Sequence, residues 1–79
     1  MTEPATPMLI WRKHSNDYRL YAGSRLMGEV MPDSKHPSMW RSTMSGGRLS
    51  DMANITWAKE AVYAAAEREL EYEHHHEAA

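Results

Sequence analysis

The stretch from Met39 to Leu70 limits what this chain can fold into more than any other: an amphipathic strand, a Gly46-Gly47 turn and one long capped helix. Ala58 to Glu73 is rich in Ala, Glu, Lys and Leu, which lose little side-chain freedom in a helix. Asn54 or Thr56 can cap the first turn by offering a side-chain oxygen to a free amide. Ile55, Ala58, Val62, Ala65 and Leu70 fall on one stripe at helical spacing, with the small Ala61 and Ala66 beside it. No earlier segment carries that pattern, so everything before it must pair as sheet.

The preceding residues alternate as strands do. Met8–His14 is a first strand, closed by the turn residues Ser15, Asn16 and Asp17. Asp17–Ala22 and Arg25–Met31 form a hairpin through Gly23-Ser24, because a glycine-containing two-residue link suits right-handed strand twist. Pro32–Pro37 is a loop, with Asp33 and Ser34 favouring turns, and Ser38–Met44 resumes the strand pattern. Arg48–Ala53 is a short connection or a helical turn. The expected fold is α+β, a four-stranded, mainly antiparallel sheet (ββββα) with the C-terminal helix packed on one face. Residues 1–7 form an N-terminal tail, 8–73 a single domain, and 74–79 a frayed polar tail.

At 79 residues the chain is one small domain whose core supplies only about 3–5 kcal/mol of stability. Cysteine is absent, which rules out disulfides and thiolate zinc sites and fits a cytoplasmic setting. The N-terminal residues lack the basic start of a signal peptide, and the longest apolar run, Met8–Trp11, is too short to cross a bilayer. A soluble protein without membrane contact is expected. Residues 1–59 hold eight Lys/Arg against five Asp/Glu, whereas residues 60–79 hold one Arg against six Glu, so the net charge of −2 conceals a basic body and an acidic helix end.

One helix covers one face of a sheet. Strand parity places Leu9, Trp11, Tyr18, Leu20, Leu26, Val30 and Trp40 beneath it, with Gly28 allowing close approach. The opposite parity holds Ile10, Arg12, Arg19, Tyr21, Arg25, Met27, Met31, Met39 and Arg41. Every strand therefore sends an arginine to the open face. Arginine grips carboxylate or phosphate bidentately, and Tyr and Met add apolar contact. Arg12, Arg19, Tyr21, Arg25, Met27, Met39 and Arg41 are the expected partner-binding residues. Arginines placed opposite one another repel, so an anionic partner would relieve the face. A protein is the expected partner. A nucleic acid read by the same arginines is the alternative, and homodimerisation through this face is a third use. The acidic run Glu67, Glu69, Glu71, Glu73 and Glu77 could pair with the arginine face of a second copy or imitate nucleic-acid phosphates.

Catalytic and cofactor motifs are missing. No serine sits in a Gly-x-Ser-x-Gly turn, and Ser45-Gly46-Gly47 lacks the Gly-Lys-Ser/Thr that a phosphate-binding loop needs. Asp51 suits a turn or cap near the helix start better than a catalytic base. His74, His75 and His76 point in different directions on a helix and make a poor tetrahedral metal site, while His14 and His36 lie in or beside loops. No enzyme activity, cofactor or metal is expected.

The spaced residues Trp11, Tyr18-Arg19-Leu20, Gly28, Val30, Met39-Trp40-Arg41, Gly47 to Asn54 and Ala58-Lys59-Glu60-Ala61 resemble short strand-rich proteins of phages and alpha-proteobacteria that close on an Ala-Lys-x-Ala helix. The resemblance spans about residues 11–66 and implies no activity and no functional residues. It implies a mobile-element origin. Phage proteins of this size inhibit host machinery, CRISPR complexes among it, by occupying a surface.

Overall fold

The computed structural model describes residues 8–44, 47–49 and 53–78. Five strands precede one helix: β1 (Leu9–His14), β2 (Asp17–Ala22), β3 (Arg25–Pro32), β4 (Trp40–Met44), β5 (Gly47–Arg48) and α1 (Ile55–Ala78). Each strand is antiparallel to the next, in the order β1-β2-β3-β4-β5. The expected α+β architecture holds, a four-stranded antiparallel sheet with the C-terminal helix packed against it. The two-residue β5 lies where a plain connection was expected. The expected tail at residues 1–7 lies outside the described residues.

Local chemistry sets the joints. Two-residue turns link β1 to β2 and β2 to β3, each with a left-handed residue first: Ser15 at φ 58° and Gly23 at φ 64°. A positive φ at that position matches the twist of the paired strands. The helix cap resolves to Asn54, whose Oδ1 accepts the Trp57 amide at 2.9 Å, and the Asn54 carbonyl accepts Ala58 N–H at 2.9 Å. Thr56 lies inside the first turn instead. At about 36 Å, the 24-residue helix outruns strands of about 20 Å, so its C-terminal part projects past the sheet.

The core is a small set of side chains. Leu20, Ala22, Met27 and Val30 come from the sheet, and Ala58, Val62 and Ala66 from every fourth position of α1. Gly28 lies beneath Val62, and a β-carbon there would meet Val62 Cγ1 at 2.7 Å. The expected close approach at this glycine is therefore present. Ser42 is fully buried on β4, and its hydroxyl donates to the Ala58 carbonyl at 3.1 Å.

The sheet departs from simple alternation at a bulge. Leu20 faces Gly28 but Tyr21 faces Leu26, leaving Met27 as an extra residue in β3. The extra residue inverts parity at the start of β3. Leu26 turns out to the open face at 46% exposure, contrary to its expected place under the helix, and Met27 turns into the core at 2%.

The two sheet edges differ. Beyond β4 run β5, then Leu49, whose amide donates to the Ser42 carbonyl at 2.8 Å, then Ala53, which exchanges two backbone bonds with Trp40. Helix α1 lies over β3 and β4. At the other end β1 has no strand beyond it among the described residues. An open groove of about 580 Å³ separates β1 from the helix, lined by Met8, Leu9, Tyr63, Glu67, Arg68 and Glu71 among others.

Candidate functional site

The sheet face away from α1 is ordered in cross-strand rows. Ile10, Tyr21 and Leu26 align across β1, β2 and β3. Beside them Arg12, Arg19, Glu29 and Thr43 align across four strands, and Met31 faces Arg41 in the next row. Ile10 and Leu26 are each 46% exposed. The first row is thus an apolar ridge, and the second is mixed in charge.

Of the residues expected on this face, Arg12, Arg19, Tyr21 and Arg41 lie there. Arg12 is exposed, its guanidinium 5.9 Å from the centre of the Tyr21 ring. Arg12 and Arg19 are directly opposed, as feared from the sequence, but Glu29 sits next in the row and accepts Arg19 Nε at 3.1 Å. A hydrogen bond to Tyr21 and then the one to Glu29 hold Arg19 even more firmly protonated than usual. The anion that relieves Arg19 is supplied from within the fold. Among the described residues Arg12 has no carboxylate partner.

Arg41 is committed to the β3–β4 loop. Its Nε donates to Asp33 Oδ1 at 2.6 Å, while Asp33 Oδ2 accepts the amides of Lys35 and His36 at 3.0 and 2.9 Å. His36 Nδ1 lies 3.1 Å from the same oxygen, and Asp33 N–H donates to the Met39 carbonyl at 2.9 Å. Hydrogen bonds from Arg41 first, then His36, hold the Asp33 carboxyl well below the ordinary carboxylate range. Met39 belongs to this loop rather than to β4, so its expected strand position is corrected.

Two further expected site residues lie elsewhere. Arg25 pairs with Ala22 at the hairpin end, on the helix side, where it binds Glu73 at 2.8 Å and Glu69 at 3.1 Å. Met27 is the buried bulge residue. The physical cause is the same for both: one inserted residue moves each side chain before it to the other face. Glu69 and Glu73 are thereby employed within the chain, and Arg25 draws the Glu73 carboxyl down.

Leu26, Glu29 and Asp33 join this surface or its supports without having been among the residues expected there. A signal for Leu26 was present, since the Gly23-Ser24 turn sets Arg25 against the inward Ala22 and so turns Leu26 outward. On the helix side Lys59 Nζ sits 4.6 Å from the Tyr18 ring centre and 5.0 Å from that of Trp11, a cation held between two rings.

Among the described residues no group of three or more His, Cys, Asp or Glu could hold a metal ion, and no helix is long and apolar enough to cross a membrane. Asp51 and the side chains of His74, His75 and His76 lie outside the described residues. Comparison with protein-family models, curated proteins and solved structures finds no match.

Proposed function

We propose that this chain is a small non-enzymatic interaction module that binds a protein partner through its open sheet face. The observation that carries the reading is the row Ile10–Tyr21–Leu26 on the face opposite the helix, in which two exposed apolar side chains flank the half-buried Tyr21 ring across three strands. A contiguous exposed apolar patch bordered by polar groups is characteristic of protein contact surfaces. Arg12, alongside and without a carboxylate partner among the described residues, supplies a cation for an acidic rim on the partner. The resemblance to phage proteins extends the proposal: the chain acts by occupying a surface of host machinery, as an inhibitor or accessory protein does.

A nucleic-acid reading draws less support. The arginines it requires, Arg19 and Arg41, already bind Glu29 and Asp33, and Glu29 would face the phosphates. The test compares partner capture by the wild type, by Leu26→Asp and by Trp57→Asp, with folding checked by circular dichroism. Trp57 is exposed on the helix and serves as the control. Capture is expected to fail for Leu26→Asp alone. Equal capture by all three refutes the face. Binding that instead collapses as salt rises and survives Leu26→Asp favours nucleic acid.

A further inference from the structure

The second surface without an assigned use is the edge of β1, beyond which no strand lies among the described residues, with the groove behind it. His14 and Asp17 flank a two-residue turn, so they face each other as a hydrogen-bonded pair. Alternation then directs the backbone groups of Ile10, Arg12 and His14 towards β2, and those of Leu9, Trp11 and Lys13 outward to the free edge. Natural sheets guard such edges with proline, bulges or a covering segment. The β4 edge is covered in that way, whereas β1 is regular from Leu9 to His14 and carries no proline.

Charge along the edge is polar in the directional sense. The first half of β1 is apolar, with Leu9 and Ile10 following Met8, and the second half is Arg12, Lys13 and His14. The groove wall near the apolar half is formed by Met8 and Leu9 on one side and by Glu67, Arg68 and Glu71 of α1 on the other. An antiparallel two-fold pairing brings the basic half of one strand against the α1 wall of the other copy's groove, where Glu67 and Glu71 outnumber Arg68. This is the self-complementarity that an isologous interface requires.

We propose that two copies of this chain pair antiparallel through β1, with the dyad at Trp11. Only outward-facing residues can exchange backbone hydrogen bonds across the edge. Two registers meet this condition and each pairs five of the six β1 residues, with the dyad at Trp11 or at Arg12; the second sets Arg12 against Arg12, so like-charge repulsion selects the first, which sets Trp11 against Trp11 and Leu9 against the partner copy's Lys13. Lys13 shares the helix-side parity of Leu9 and Trp11, so the partner's Lys13 is brought beside the groove that Glu67 and Glu71 line. Ile10 meets the partner's Arg12 on the open side, which separates the two Arg12 side chains. The product is one continuous sheet with both helices on one face and both open faces on the other. Lys13, which unmatched would deter edge pairing, here selects the correct partner. This inference goes beyond the open-face reading and does not depend on it.

Light scattering of the full chain up to millimolar concentration, at low salt, tests it. The wild type is expected to dimerise, and Lys13→Glu to weaken the dimer at least tenfold without loss of fold, because Lys13 is exposed. Glu67→Lys with Glu71→Lys should weaken it likewise, and combining these with Lys13→Glu should restore it. Leu26→Asp, on the open face, should leave the dimer intact, and the Trp11 amide should gain exchange protection as concentration rises. A wild type that stays monomeric overturns the proposal. So does a dimer indifferent to Lys13→Glu, or one lost in Leu26→Asp, which would place the contact on the open face.

Discussion

Replacing Gly28 by alanine probes the helix–sheet contact on which the whole fold rests. The backbone at Gly28 lies outside the left-handed region, unlike Gly23 and Gly47, so alanine is sterically opposed only by its neighbours. Its β-carbon would lie 2.6 Å from Met44 Sδ, 2.7 Å from Val62 Cγ1 and 2.9 Å from the Thr43 carbonyl oxygen. The Met44 sulfur can swing away. Val62 cannot, because it is β-branched and fully buried on a helix, and the Thr43 oxygen belongs to the β4 backbone. Ordinary carbon contacts begin at about 3.5 Å, so the helix must lift by about 1 Å. Overpacking of this kind costs about 1–3 kcal/mol, and the lower chain entropy of alanine when unfolded returns about 0.4–1. A net loss of about 1–2 kcal/mol lowers the melting temperature by roughly 5–15 °C in a domain this small. Thermal melts of Gly28→Ala, Val62→Ala and the double variant close a double-mutant cycle. Val62→Ala alone opens a cavity, but in the Gly28→Ala background it also removes the clash, so the two losses should sum to more than the double variant shows. A Gly28→Ala melting point at or above wild type refutes the close-approach argument.

Other consequences are smaller or depend on conditions. Asn54→Ala removes the cap on the Trp57 amide and should cost about 1 kcal/mol, whereas Asn54→Asp should stabilise by about 0.3–1 kcal/mol, because the first turn has no acidic residue to meet the helix dipole. Thermal melts at neutral pH check both. Asp33 and Glu73 titrate below their ordinary values in the folded chain, so the native state binds fewer protons than the unfolded one. Their stabilisation is present above about pH 4 and is lost as pH falls through the folded-state values. The melting curve of Asp33→Asn against pH should lie below that of wild type at neutral pH and converge with it in acid. Arg25→Ala breaks the contacts with Glu69 and Glu73, but the arginine is half exposed, so the loss should stay below about 1 kcal/mol and shrink further at high salt.

Much of this architecture was written in local pattern. The β2–β3 hairpin followed from Gly23-Ser24, the helix from its alanine-rich stripe, and the tight layer contact from Gly28. What the pattern hid was the bulge. Leu26 and Met27 are adjacent and both apolar, so alternation fits either face. Counting back from Val30 put Leu26 inward, while counting on from the turn put Arg25 inward. No single parity satisfies both, and an extra residue is the physical solution. The pairing of Arg19 with Glu29 depends on that shift, so it was illegible without it. Asp33 was readable as a turn residue, but its grip on Arg41 is a tertiary contact across a loop, with no local signature. The off-centre helix was hidden for a similar reason. Its position is fixed by Ser42 bonding Ala58 and by Ala53 bridging Trp40, contacts that exist only once β4 is in place.

A protein bound on the Ile10–Tyr21–Leu26 row comes within reach of a photo-crosslinking side chain placed at position 26. In native-host extract that side chain should yield a discrete protein adduct that excess unlabelled wild type abolishes and excess unlabelled Ile10→Asp does not. The same probe at position 57 should yield none. An adduct absent at position 26, or competed equally well by Ile10→Asp, contradicts the account.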